Sequence, residues 1–145
     1  TPTWYGMFLE DGSVTEAVDV MHHAWTGDWP QNRSPRMEGL TLDDRIGKDS
    51  IRLQPAGRYA VRAIAADPDG DPLTWRWVLR RESEATQVGG DPEEVPEMIP
   101  GRLEEAADGH AILSAPERAG AYRLFVYVYD GNGNAGHANI PFLVE

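Results

Sequence analysis

There is no cysteine among the 145 residues. Disulfides, thiolate metal sites and nucleophilic thiol chemistry are therefore excluded. Basic residues are few: 13 Lys and Arg stand against 24 Asp and Glu, a formal net charge of −11. Nucleic acid and anionic lipid both recruit a Lys/Arg surplus, so neither is an expected partner. No apolar run approaches the ~18 residues that a membrane helix needs. No signal peptide is visible, and the chain begins at Thr1, not Met, so it reads as a mature or excised piece. No Gly-x-Ser-x-Gly and no phosphate-cradling glycine loop occurs.

What is present is ordinary for a soluble globular protein: 41% apolar and 26% charged residues. That is enough for a core, and the length suits one domain, or a smaller domain with an appendage. Two regimes meet near Pro30–Pro35. In the first, Ser13-Val-Thr-Glu16 fits a capping box. Ala17, Val18, Met21 and Trp25 then follow at helical spacing, and Gly27 is a stop signal. The expectation is a helix over 14–25, preceded by a short strand at Trp4–Leu9 and followed by a linker over 27–35. Met21 and Trp25 are expected to seat that helix on the rest of the molecule. His22 and His23 are adjacent on it, diverge by ~100° and cannot share a metal.

From Met37 onward the pattern alternates with a period of two. Expected strands are Met37–Leu42, Ser50–Gln54, Arg58–Ala66, Leu73–Arg81, Ala111–Ser114, Ala121–Tyr129 and Ala135–Val144. Turn signals separate them at Pro55–Gly57, Asp67–Asp71, Pro116–Gly120 and Gly131–Gly133. Strands of this number and length fit an immunoglobulin-like antiparallel β-sandwich, all-β apart from the N-terminal strand–helix appendage. The division is 1–35 for appendage and linker and 36–145 for the sandwich. Residues 82–109 read as a long acidic insertion.

The strand over 121–129 has two unlike faces. Tyr122, Leu124, Val126 and Val128 suit a core, whereas Arg123, Phe125, Tyr127 and Tyr129 share the other parity. On Leu73–Arg81, Trp77 is expected in the core, and Arg76, Val78 and Arg80 point outward. With His137 and Asn139 these residues make one outer face. Flat C–H faces of sugar rings stack on aromatics, while Arg, Asn and His meet hydroxyls. The expected stacking set is Phe125, Tyr127, Tyr129, Trp75 and Trp29, with Arg76, Arg123 and Asn139 as polar partners. An equal alternative is that this face packs on another domain or on the helix.

Two turns are rich in oxygen: Asp67/Asp69/Asp71 and Asp130/Asn132/Asn134. In an immunoglobulin-like sandwich they fall at the same end, where Asp67, Asp69, Asp71, Asp130 and Asn132 would hold a structural Ca²⁺. The plainer reading is that Asp, Asn and Gly are default turn residues. An EF-hand is excluded, because position 78, where its bidentate Glu would stand, is Val. An intrinsic enzyme is not expected. The acidic groups Glu82/Glu84 and Glu93/Glu94/Glu97 sit in or beside the insertion, a poor support for a carboxylate pair.

Asp67-Pro-Asp-Gly-Asp-Pro-Leu-Thr-Trp-Arg-Trp77, followed by Ala119–Asn134, resembles the polycystic-kidney-disease and cadherin-like branch of immunoglobulin folds. The likeness spans roughly 55–144. Trp77-Val-Leu-Arg replaces the Trp-Asp-Phe-Gly-Asp-Gly continuation of the standard repeat. Over the whole chain, Thr3-Trp-Tyr-Gly6, Ala24-Trp-Thr-Gly27 and Pro30–Pro35 followed by a sandwich resemble the C-terminal end of secreted bacterial glycoside hydrolases. That resemblance implies that 1–30 is the end of a catalytic barrel. It also implies that 36–145 is a secreted, non-catalytic carbohydrate-binding module. Its implied partners are the parent catalytic domain and a plant-wall polysaccharide of β-glucan, xyloglucan or mannan type.

Overall fold

Alternation of apolar and polar residues builds two four-stranded sheets in the computed structural model, which describes residues 6–83 and 95–145. The elements are α1 (Glu16–Thr26), β1 (Arg36–Leu42), β2 (Arg52–Leu53), β3 (Arg58–Ala66), β4 (Thr74–Arg81), β5 (Leu103–Glu105), β6 (His110–Ser114), β7 (Gly120–Tyr129) and β8 (Ala135–Val144). One sheet has the order β1-β3-β6-β5 and the other β2-β8-β7-β4. All pairings are antiparallel except β2 with β8. The fold is a β-sandwich with one helix near its N-terminus.

The core lies between the sheets. Trp77 and Leu79 of β4 meet Tyr122, Leu124 and Val126 of β7, Ile140 and Phe142 of β8, and Val61 and Leu113 of the facing sheet. Tyr122 is fully buried, yet its hydroxyl donates to the Arg118 carbonyl at 2.7 Å, so its polar end is satisfied. Seven expected strands appear in their expected places, with ends shifted by a residue or two and Ser50–Gln54 shortened to β2. β5 was not expected. It is three residues long, exposes Glu104 and Glu105, and carries almost no alternation signal.

The helix starts later than the capping box suggests. Its N-cap is Thr15, with no side-chain cap. The Ser13 N–H is taken by the Asp11 carboxylate at 2.9 Å, a local turn that competes with the box. The Thr15 hydroxyl donates to the carbonyls of Gly6 and Met7. The strand expected at Trp4–Leu9 reduces, over its described part, to a bridge between Phe8 and Val14. Trp25 does not seat the helix: it is 77% exposed. Asp19 anchors it instead, buried and accepting the Ser34 N–H at 2.6 Å.

The N-terminal segment is joined to the sandwich along its length. Val14 bonds Gly133 and Ala135 on either side of the parallel bridge to Asn134. Further on, the Pro35 carbonyl passes over Gly136 so closely that a Cβ there would sit 2.5 Å from it. β8 can accept the linker at that point because position 136 has no side chain.

Candidate functional site

Three structural regions bring the chemically versatile side chains together. The first is the loop end. The β3–β4 turn carries Asp67, Asp69 and Asp71, and the β7–β8 turn carries Asp130, Asn132 and Asn134. Gly131 and Gly133 both have positive φ there, which lets the second turn fold tightly enough to point its polar groups inward. The turns meet: Asn132 Nδ2 donates to Asp71 Oδ2 at 2.9 Å. One carboxylate oxygen each from Asp67, Asp71 and Asp130 lies within 4.8 Å of the others, a group able to hold a metal ion.

Electrostatics at this end are uneven. Asp130 is buried and accepts from the Asn132 N–H (2.7 Å), the Asn134 N–H (3.1 Å), the Asn134 side chain (2.8 Å) and Asn32 Nδ2 (2.6 Å). Burial pushes its carboxyl up, but these donors outweigh burial and hold it below the ordinary carboxylate value. Asp67 spends Oδ1 on the N–H groups of Asp69 and Asp71. Its Oδ2 is buried and has no hydrogen-bond partner. Two of the five expected ligands have other roles. Asp69 turns outward and accepts the Arg33 N–H at 2.7 Å, so it fastens the linker. Asn132 presents its amide nitrogen, not its oxygen, to Asp71.

The second region is the outer face of β4, β7 and β8. Its expected members do share the face, but the chain covers part of it. Leu9 is buried against Val78, Tyr127 and Ala135, with Phe125 and Tyr129 packed alongside. Tyr127 is 6% exposed and so offers no free ring to a flat partner. Arg123 is held by Glu82, with Nε at 3.0 Å from Oε2, and by the Asn139 side chain. These two residues are therefore already paired with protein groups. Phe125 and Tyr129 remain half-buried, and Arg76 is exposed.

Between this face and the Leu9–Asp11 segment lies a cleft of about 300 Å³. Tyr129 lines it together with Asp11 and Arg76. Burial first, and then the charge of Asp11, push the Tyr129 hydroxyl above its ordinary value. Asp11 itself is lowered, chiefly by the Ser13 N–H. No local pattern announces this cleft, since Leu9 and Val78 lie far apart along the chain.

The third region is a trough of about 300 Å³ at the sandwich edge, lined by Ile64, Leu73, Trp75, Arg62, Asp108 and His110. Trp75 is half-buried and lies over Gly109, where a Cβ would come within 3.1 Å of the indole. Trp29, from the linker, belongs to none of these regions. Its indole stacks on His23 with centroids 4.2 Å apart and carries the Arg33 guanidinium at 4.1 Å. The indole remains exposed beside these two neighbours. Glu84, Glu93 and Glu94 lie outside the described residues. Among the described residues no helix is long and apolar enough to cross a membrane.

No family model matches the chain, and no curated protein does. Solved structures with a related arrangement include a nucleoside hydrolase-related hypothetical protein from Saccharophagus degradans, associated with carbohydrate metabolism. It is 14% identical with a TM-score of 0.45 over 79% of this chain, and the chain spans 26% of that protein's length. PcoC, a methionine-rich copper resistance protein from Escherichia coli, is 13% identical with a TM-score of 0.43, over 77% of this chain and 99% of PcoC. At these scores neither likeness carries an argument about function.

Proposed function

We propose that this chain is a non-catalytic β-sandwich module of a larger secreted protein, with its loop end locked by one Ca²⁺ ion. The observation that carries the reading is the Asp67–Asp71–Asp130 group together with the unpartnered buried oxygen of Asp67. Three carboxylates so close repel one another, and a buried acceptor without a donor is costly. A hard cation removes both penalties. The donors are all oxygen, which suits Ca²⁺ and not a thiophilic or imidazole-seeking metal. Oxygens across a Ca²⁺ shell are at most about 4.6–5.2 Å apart, and the three oxygens of this group all lie within 4.8 Å of one another.

The ion would act as a clamp. Asn32 and Arg33 reach the same end, through Asp130 and Asp69, so an ion there fixes the linker and both turns at once. Extracellular calcium modules work at about 10⁻⁴–10⁻³ M, which fits a site with few charged ligands in a secreted protein. The outer face, covered by the chain's own Leu9, supports a packing role there over an open sugar platform. Surface carboxylates favour a non-catalytic reading as well: Glu16, Glu82, Glu104 and Glu145 are each paired with an arginine.

Calorimetric titration of Ca²⁺ into the chain tests this. One binding event is expected, lost in the double variant Asp67→Asn, Asp71→Asn. Equal heats in the variant and the parent would overturn it. A second reading, glycan binding, rests on one observation: the half-buried Trp75 stands in an open trough flanked by Arg62, Asp108 and His110. Retardation of the chain in affinity gels containing β-glucan, xyloglucan or glucomannan, abolished by Trp75→Ala, would favour it.

A further inference from the structure

Asparagine stands at positions 32, 132, 134 and 139, and only Asn132 is followed by glycine. An asparagine modifies itself when the nitrogen of the next residue attacks its side-chain carbonyl carbon. The state of that next N–H therefore decides which asparagine reacts. The Arg33 N–H is held by Asp69 at 2.7 Å, and the Ala135 N–H by the Val14 carbonyl at 2.7 Å. Ile140 is buried within β8 and is β-branched, so its nitrogen is crowded. Gly133 differs from all three. Its N–H carries no hydrogen bond among the described residues, and both it and Asn132 are exposed. A Cβ built at Gly131 or Gly133 would meet nothing within 4 Å, so a ring closing at Asn132 has open space around it.

We infer that Asn132 is a site of spontaneous deamidation, and that the reaction unties the loop end. The Gly133 nitrogen gives its proton to solvent and bonds to Asn132 Cγ. The Cγ–Nδ2 bond breaks, and Nδ2 takes a proton from water and leaves as ammonia. Water then opens the resulting succinimide. Cleavage of the new Cγ–N bond leaves aspartate; cleavage of the original peptide bond leaves isoaspartate, whose main chain is longer by one methylene. Either product lacks the Nδ2 donor that meets Asp71 Oδ2 at 2.9 Å. Either also adds a carboxylate to an end that already carries Asp67, Asp71 and Asp130, and like charges there repel. Isoaspartate further displaces Gly133, whose carbonyl accepts the Val14 N–H at 2.9 Å, and so loosens the segment in front of α1. The only co-reactant is water, so this inference is independent of the cation.

The test is peptide mapping of the folded 145-residue chain, aged at mildly alkaline pH in chelator, with isoaspartate read by an isoaspartyl methyltransferase. Asn132 is expected to convert at least ~10-fold faster than Asn32, Asn134 or Asn139, because glycine sets no side chain beside its own nitrogen. The urea midpoint should fall as the converted fraction grows, and amide exchange at Val14 should quicken. Asn132→Asp, which carries one product from the start, should begin with the lowered midpoint. Asn132→Gln, which keeps a donor and must close a larger ring, should age without that loss. Three results would each overturn the assignment: an Asn132 that stays intact in the folded chain while it converts in urea, conversion led by another asparagine, or a midpoint that does not move as Asn132 converts.

Discussion

Asn132 donates to the Asp71 carboxylate at 2.9 Å across 61 positions of sequence, and so ties the β7–β8 turn to the β3–β4 turn. On the same side, Asn32 donates to Asp130, and the Arg33 N–H donates to Asp69. Two turns and a linker therefore form one polar knot at the loop end.

Asp130 is the centre of that knot. Replacing it with Ala removes the acceptor for four donors and should cost about 2–4 kcal/mol, read from urea unfolding in chelator so that no ion contributes. An unchanged midpoint would show that these bonds do not stabilise the fold.

The pH dependence follows from the sign of its shift. The folded Asp130 carboxyl lies below its ordinary value of 3.8, so the folded state holds fewer protons than the unfolded chain around that pH. Its contribution is complete above the unfolded value and is lost as pH falls through the depressed folded value. Urea midpoints of the parent should therefore fall more steeply in that acid window than those of Asp130→Asn. Parallel curves would contradict the assignment.

Leu9→Ala tests whether the N-terminal segment really covers the outer face. Leu9 is 3% exposed and packs on Val78, Tyr127 and Ala135, so the loss should be about 2–4 kcal/mol. Tyr127 should become accessible to a tyrosine-modifying reagent at the same time. If stability and reactivity both stay put, the face is open in solution.

Gly136→Ala pushes a methyl to 2.5 Å from the Pro35 carbonyl. Backbone on both sides has little room to yield, so a cost of about 1–3 kcal/mol is expected, with faster amide exchange at Ser34. A neutral substitution would mean that the linker lifts away readily.

Much of the sandwich was legible because β7 alternates between buried and half-buried residues over Tyr122–Val126 and β8 over Ile140–Val144, and a buried face imposes that period. Trp77, at the core parity of β4, is 5% exposed as its position implied. What escaped the sequence was long-range or very short. β5 has three residues and two exposed glutamates. The capping box lost Ser13 to an aspartate two positions away. No local pattern announces that Leu9 will lie on Tyr127, so an aromatic face that reads as open is partly closed. The Asp67–Asp71–Asp130 group was legible as composition, whereas the outward turn of Asp69 was set by the linker it meets. Arg80 had a readable parity, but its bond to the Pro96 carbonyl is visible only in three dimensions.

Whether one Ca²⁺ ion locks the loop end is read from thermal unfolding with saturating Ca²⁺ against unfolding in chelator. An ion at a hundredfold its Kd adds about 2.7 kcal/mol, which for a chain of this size raises Tm by about 5–10 °C. A rise of that order is expected in the parent and none in the Asp67→Asn, Asp71→Asn variant. Superimposable melts of the parent with Ca²⁺ and with chelator would contradict it.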